Sequence, residues 1–205
     1  MIWESRKWRL ITRVLALLVV SVLMLIFAGP VSYALQDDTP KEVAYTGQLY
    51  DAKGQPYADR YIFVQVTPDV DSTVTTGEGD STHYWVPTDN FGSQLIIRAD
   101  KGRYMFPYDY SAESGFSVDS VPIYYFGKVT TLKSQPDADK AVEALAARGV
   151  TVDKETAMVL IQGEEPSNYR PMVPVMPILA VFWGVALMGA WHILRGRRPL
   201  RKLPY

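Results

Sequence analysis

Two apolar stretches bracket this chain and constrain it more than any other feature. Residues 14-VLALLVVSVLMLIFA-28 carry no charge, and with Leu10 and Ile11 the run extends to 19 residues. A second run, 172-MVPVMPILAVFWGVALMGAWHIL-194, spans 23 residues without a charged group. A helix rising about 1.5 Å per residue needs about 20 residues to cross a hydrocarbon core of about 30 Å. Trp3 and Trp8 lie before the first run and Tyr33 after it, while Tyr169 and Trp191 stand near the ends of the second. These are positions for interfacial aromatics. Pro174 and Pro177 fall in the first turns of the second run, where a missing backbone N–H costs little. The sequence therefore predicts two transmembrane helices, over 10–29 and 172–194.

Charge orients them. Residues 1–13 hold Arg6, Lys7, Arg9 and Arg13 against Glu4, and from 195 onward come Arg195, Arg197, Arg198, Arg201 and Lys202 with no acid. The rest of the chain holds 12 basic and 21 acidic residues, a net of −9. Basic flanks face the cytoplasm, so residues 1–9 and 195–205 are expected inside, and 30–170 on the periplasmic or extracytoplasmic side of the cell (inner) membrane. The acidic middle argues against nucleic acid as a partner. Ser32 and Ala34 offer a small-residue cleavage pattern, the alternative being a signal removed near Leu35. The apolar run is at the upper limit for a signal core, so a retained anchor is expected. No cysteine is present, which removes disulfides, thiolate metal sites and Cys nucleophiles.

Between the helices, after a 30–42 linker, the pattern changes to period two. Val43, Tyr45 and Leu49 begin a strand, and Asp51-Ala52-Lys53-Gly54 has turn chemistry. Strands follow at 61–68, 83–87, 94–99 and 103–108, with further runs at 116–118, 121–126 and 128–132. Short strands with regular turn signals read as an antiparallel sandwich over 43–133. The combination Gly47-x-Leu49-x-Asp51-x-x-Gly54-x-Pro56, then Ile62-x-Val64-x-Val66, Thr88-Asp89-x-x-Gly92 and Gly102-x-Tyr104 resembles the carboxypeptidase regulatory-like, or transthyretin-like, β-sandwich. The resemblance covers about residues 43–126 and rests on turn signatures. It implies an immunoglobulin- or transthyretin-like fold and a module that binds, braces or spaces. Asp59-Arg60, where small residues are common, and the long 69–82 loop depart from the pattern.

A small α/β appendage is expected over 134–163. Its helix, 137-DADKAVEALAARG-149, carries Asp137 as cap, an apolar face of Ala138, Ala141, Val142 and Leu145, and Gly149 at its end. A strand-like run, 157–163, follows, and 164–171 links it to the second span.

Candidate sites are sparse. Ala180 with Gly184, Val185 with Gly189, and Ala186 with Ala190 put mostly small residues at four-residue spacing, which lets helices approach closely in lipid. Neither span carries an ionisable residue at its centre, so a pump or transporter is not expected. His192, beside Trp191, is a candidate ligand for a pigment or haem, the alternative being contact with headgroups and water. Asp69, Asp71, Glu78 and Asp80 offer oxygen ligands for Ca²⁺ but not the spacing of a calcium loop, and such loops are ordinarily solvated. His83 opens a strand with Asp80 three residues before it, an arrangement more often packed than catalytic. Tyr104, Phe106, Tyr108 and Tyr110 mark a candidate protein interface. Nucleophile elbows, P-loops and dinucleotide fingerprints are absent.

These observations predict a non-enzymatic accessory subunit that contacts other integral membrane subunits and the lipid bilayer. It requires no cofactor, although pigments or lipids of a host complex would touch its helices. By analogy the setting is a bacterial photosynthetic or respiratory complex. The competing expectations are an anchored binding module for carbohydrate, peptide or ion, and an enzyme built around His83 and the acidic loop. Tails of about ten residues weigh against a signalling output.

Overall fold

The computed structural model describes residues 2–54, 56–100 and 122–195, with side chains in the first helix from residue 7. The expected strands at 103–108 and 116–118, and the basic residues beyond Arg195, lie outside the described residues. The chain divides into two compact units, residues 1–35 with 169–205, and residues 36–168.

The first unit is a pair of long helices. Helix α1 runs Ile2–Ala34, 33 residues or about 50 Å at the usual rise. The last helix, described below as α3, runs Val175–Arg195. Both are long and apolar enough to cross a membrane. They pack antiparallel. Arg13 meets Gly189, Ser21 accepts a 3.1 Å hydrogen bond from the Trp183 indole, and Tyr33 lies edge-on to Tyr169 at 5.3 Å. Ala186 and Ala190 are buried while Val181, Phe182, Val185 and Met188 are exposed. Small residues at two successive turns let the backbones approach, and the bulky residues face outward.

The second unit is built on one mixed sheet. Its strands are β1 (Lys41–Val43), β2 (Arg60–Val66), β3 (Val74–Thr76), β4 (His83–Pro87), β5 (Leu95–Asp100), β6 (Ile123–Thr131) and β7 (Met158–Gln162), with helix α2 (Ala138–Ala147) between β6 and β7. The order is β1-β2-β6-β7-β5-β4-β3. The coarse expectation of two apolar helices and a strand-built domain is met. The finer pattern differs, because the β1–β2 and β5–β7 pairs are parallel and the strands form a single hydrogen-bonded sheet.

The sheet curls until strands four places apart in that order meet. Beyond β2 and β4, Pro68 bridges Thr88, the Asp69 N–H donates to the Pro87 carbonyl at 2.9 Å, and the Asp89 N–H donates to Thr67 at 2.9 Å. The Asn90 side chain clasps the same corner, donating to the Gln65 carbonyl and accepting from the Thr67 N–H, both at 3.0 Å. Inside the curl Ile62, Val64, Val66, Val86, Leu95, Ile97, Tyr125, Val129 and Leu160 form the main core. On the convex face α2 sets Ala138, Ala141 and Leu145 on Trp85, Ile96, Val159 and Ile161.

Local chemistry explains much of this. Gly54 takes φ +74° in the Asp51–Gly54 turn, which its N–H closes onto the Asp51 carbonyl. Gly149 takes φ +86° just past α2, where an L side chain would be strained. Asp137 precedes α2 but makes no side-chain cap. Its carboxylate lies 3.7 Å from Lys140 instead. Most of the runs expected at 121–126 and 128–132 forms one strand, β6, with Gly127 paired on both sides to β2 and β7. The 157–163 run lies between β5 and β6 as β7. Its Met-Val-Leu-Ile segment is buried on both faces, the signature of a central strand.

Candidate functional site

In the helical unit the small residues divide. Ala186 and Ala190 are spent inside the pair, and Gly189 faces Arg13, whose Nε and Cζ lie 3.0 and 3.2 Å from where a Cβ would stand. Ala180 and Val185 are exposed, and nothing lies within 4 Å of where a Gly184 Cβ would be. His192 is exposed near the end of α3, bordering a groove of about 410 Å³ lined also by Leu187, Met188 and Trp191. The Arg195 guanidinium stands 5.8 Å over the Trp191 ring.

In the sheet unit the most polar constellation gathers on β4 and β5, which pair His83 directly with Asp100. The His83 Nδ1 lies 2.7 Å from the Asp100 carboxylate, and an Arg98 nitrogen lies 3.7 Å from the same oxygen. Arg98 also donates to the Gln135 amide oxygen. All four are half-buried. Thr76, opposite His83 on β3, accepts a 2.8 Å bond from the buried Trp85 indole. Arg98 and Asp100 are thus paired, while the buried Arg98 Nε has no hydrogen-bond partner among the described residues. Sequence proximity had offered Asp80 as the neighbour of His83, whereas the strand register supplies Asp100. A lone arginine in the apolar run 94-QLIIRA-99 was the signal for this cluster, because a charge in a buried strand needs partners.

The four loop acids have separate surroundings. The Asp69 carboxylate accepts the Ser72 N–H at 3.0 Å, and the Asp71 carbonyl accepts from Arg148 at 3.1 Å. Glu78 precedes a short 3₁₀ turn, Gly79–Ser81, that contains Asp80, and both are exposed. Among the described residues no three acidic or histidine side chains converge as a metal site would require. Tyr104, Phe106, Tyr108 and Tyr110 lie outside the described residues.

Two features of this unit were not anticipated. Phe63 on β2 and Tyr124 on β6 stack with ring centres 5.1 Å apart and planes 5° from parallel, and Tyr124 is 58% exposed. A cleft of about 600 Å³ opens between the end of α2 and the edge strand β3, lined by Val70, Val74, Thr75, Tyr84, Ala144 and Arg148. Deeper in the curl, burial pushes the Tyr125 phenol up to about 12, and its hydroxyl has no hydrogen-bond partner among the described residues. Burial and then the Asp153 carboxylate push Tyr50 upward as well. Its hydroxyl donates to the Thr156 carbonyl at 3.0 Å. No family, curated protein or solved structure matches the chain.

Proposed function

We propose that this protein is a non-catalytic accessory subunit of a larger integral membrane assembly. In this reading α1 and α3 cross the bilayer with both termini cytoplasmic, and the curled sheet, as a sandwich-like module, braces partners on the other side. One observation carries it. Both helices of the first unit present long outward faces of Leu, Ile, Val, Phe and Met, with Leu25 77% and Val181 66% exposed. Apolar surface on that scale is stable only against lipid or other apolar helices. The His83–Asp100–Arg98–Gln135 cluster supports the non-catalytic half, since its groups are engaged with one another. A bacterial energy-converting complex is the proposed setting.

Purification through a C-terminal tag in mild detergent, with mass spectrometry and an absorption spectrum of the eluate, tests this. Stoichiometric integral membrane partners are expected, and a lone monomer refutes the reading. Topology is checked independently, because the chain has no cysteine of its own. Asp37→Cys is expected to react with an impermeant maleimide on intact cells, and Ser5→Cys only after lysis.

The exposed Tyr124 ring, stacked on the half-buried Phe63, favours a second reading, a carbohydrate-binding module, since a flat exposed ring offers a platform for a sugar face. Tyr124→Ala abolishing retention on a polysaccharide matrix would support it over the first.

A further inference from the structure

We propose that the end of the helical pair carrying Arg13, His192 and Arg195 is a binding site for one anionic phospholipid. The inference rests on reading α1 and α3 as membrane spans. The groove there is lined by Leu187, Met188, Trp191 and His192 and exposes almost only carbon, so it fits an acyl chain. Two arginines, one from each helix, touch α3 beside it. Arg195 stacks over Trp191, which lines the groove. Arg13 crosses from α1 onto Gly189, whose missing side chain leaves room for the guanidinium. Gly189 and His192 are three residues apart and so are neighbours on one helix surface.

Among the described residues no acidic side chain meets Arg13 or Arg195. Glu4, nine residues before Arg13, is the one acid in residues 1–34, and residues 172–205 hold none. An arginine near hydrocarbon without a counter-charge is costly, and a phosphate matches the guanidinium fork. Charge complementarity thus selects a negative headgroup and the carbon groove selects a chain attached to it. A soluble phosphate would satisfy the first and leave the second empty.

The test uses the full chain, reconstituted in vesicles of phosphatidylcholine alone or with a minority of phosphatidylglycerol, then extracted for native mass spectrometry. One phosphatidylglycerol retained in preference to phosphatidylcholine is expected. Arg13→Gln and Arg195→Gln should each lower that preference about five-fold, from about 1 kcal/mol per basic residue at the surface. Lys41→Gln with Lys53→Gln, in the sheet unit, should leave it unchanged. Equal retention of both lipids, an undiminished preference in the double arginine variant, or displacement by inorganic phosphate overturns the proposal. So does a His192-dependent haem or chlorin band in the purified protein. Failure of the parent chain to float with either vesicle would instead strike at the membrane reading beneath it.

Discussion

Gly127 sits in the middle of β6, paired with Ile62 on one side and Gln162 on the other. A methyl group placed there would overlap the Ile161 carbonyl oxygen and stand 2.9 Å from its carbon and 3.2 Å from the Gln162 Cα. These are backbone atoms of the central strand, so no rotamer change relieves the overlap. β6 and β7 must separate locally. Overpacking in a core costs about 1–3 kcal/mol, and two weakened ladder hydrogen bonds add about 1 kcal/mol each. The lower entropy of an unfolded alanine offsets about 0.4–1 kcal/mol of this. Gly127→Ala is therefore expected to destabilise the sheet unit by about 3 kcal/mol. At roughly 3–5 °C per kcal/mol for a unit of this size, its melting temperature should fall about 10–15 °C. Trp85 is the one tryptophan in residues 36–168 and is buried under α2, so near-UV circular dichroism of the full chain in detergent reports the transition. Gly184→Ala is the control, since open space surrounds that site. A Gly127→Ala protein melting within about 2 °C of the parent would refute the register assigned to β6 and β7.

Tyr125 gives a pH prediction. Its folded-state value, about 12, lies above the ordinary phenol value of 10.0, so the unfolded chain releases the proton first as pH rises. Its contribution is thus intact below about pH 10 and is lost progressively between there and about pH 12, on the order of 2–3 kcal/mol in all. Tyr125→Phe should leave stability at neutral pH unchanged or up by about 1 kcal/mol, since the hydroxyl is unpaired. Its alkaline melting curve should be flatter, and parallel curves for variant and parent would contradict the burial argument. In the helical pair, Trp183→Phe removes one interhelical bond worth about 0.6 kcal/mol. Ala186→Leu forces a bulky side chain into the buried seam and should cost several-fold more. An SDS titration of helicity ranks the two, and the reverse order would mean that the seam is misplaced.

What the sequence determined by itself was whatever depends on neighbours along the chain. The two uncharged runs specified two long helices, because length and apolarity need no tertiary information. Strands β4 and β5, the Asp51–Gly54 turn and α2 with its Gly149 stop followed from periodicity and turn chemistry, read at most a few residues apart. The small residues of α3 were visible too, but not their division of labour. Only packing shows that Ala186 and Ala190 are buried while Ala180 is not. Tertiary structure alone decided the sheet order. An apolar run such as 158-MVLI-161 is compatible with an appendage or a central strand, and only hydrogen bonding to two non-local partners distinguishes them. The same holds for His83. Its partner is 17 residues away in sequence and one strand away in space, a relation set by register rather than by any local pattern.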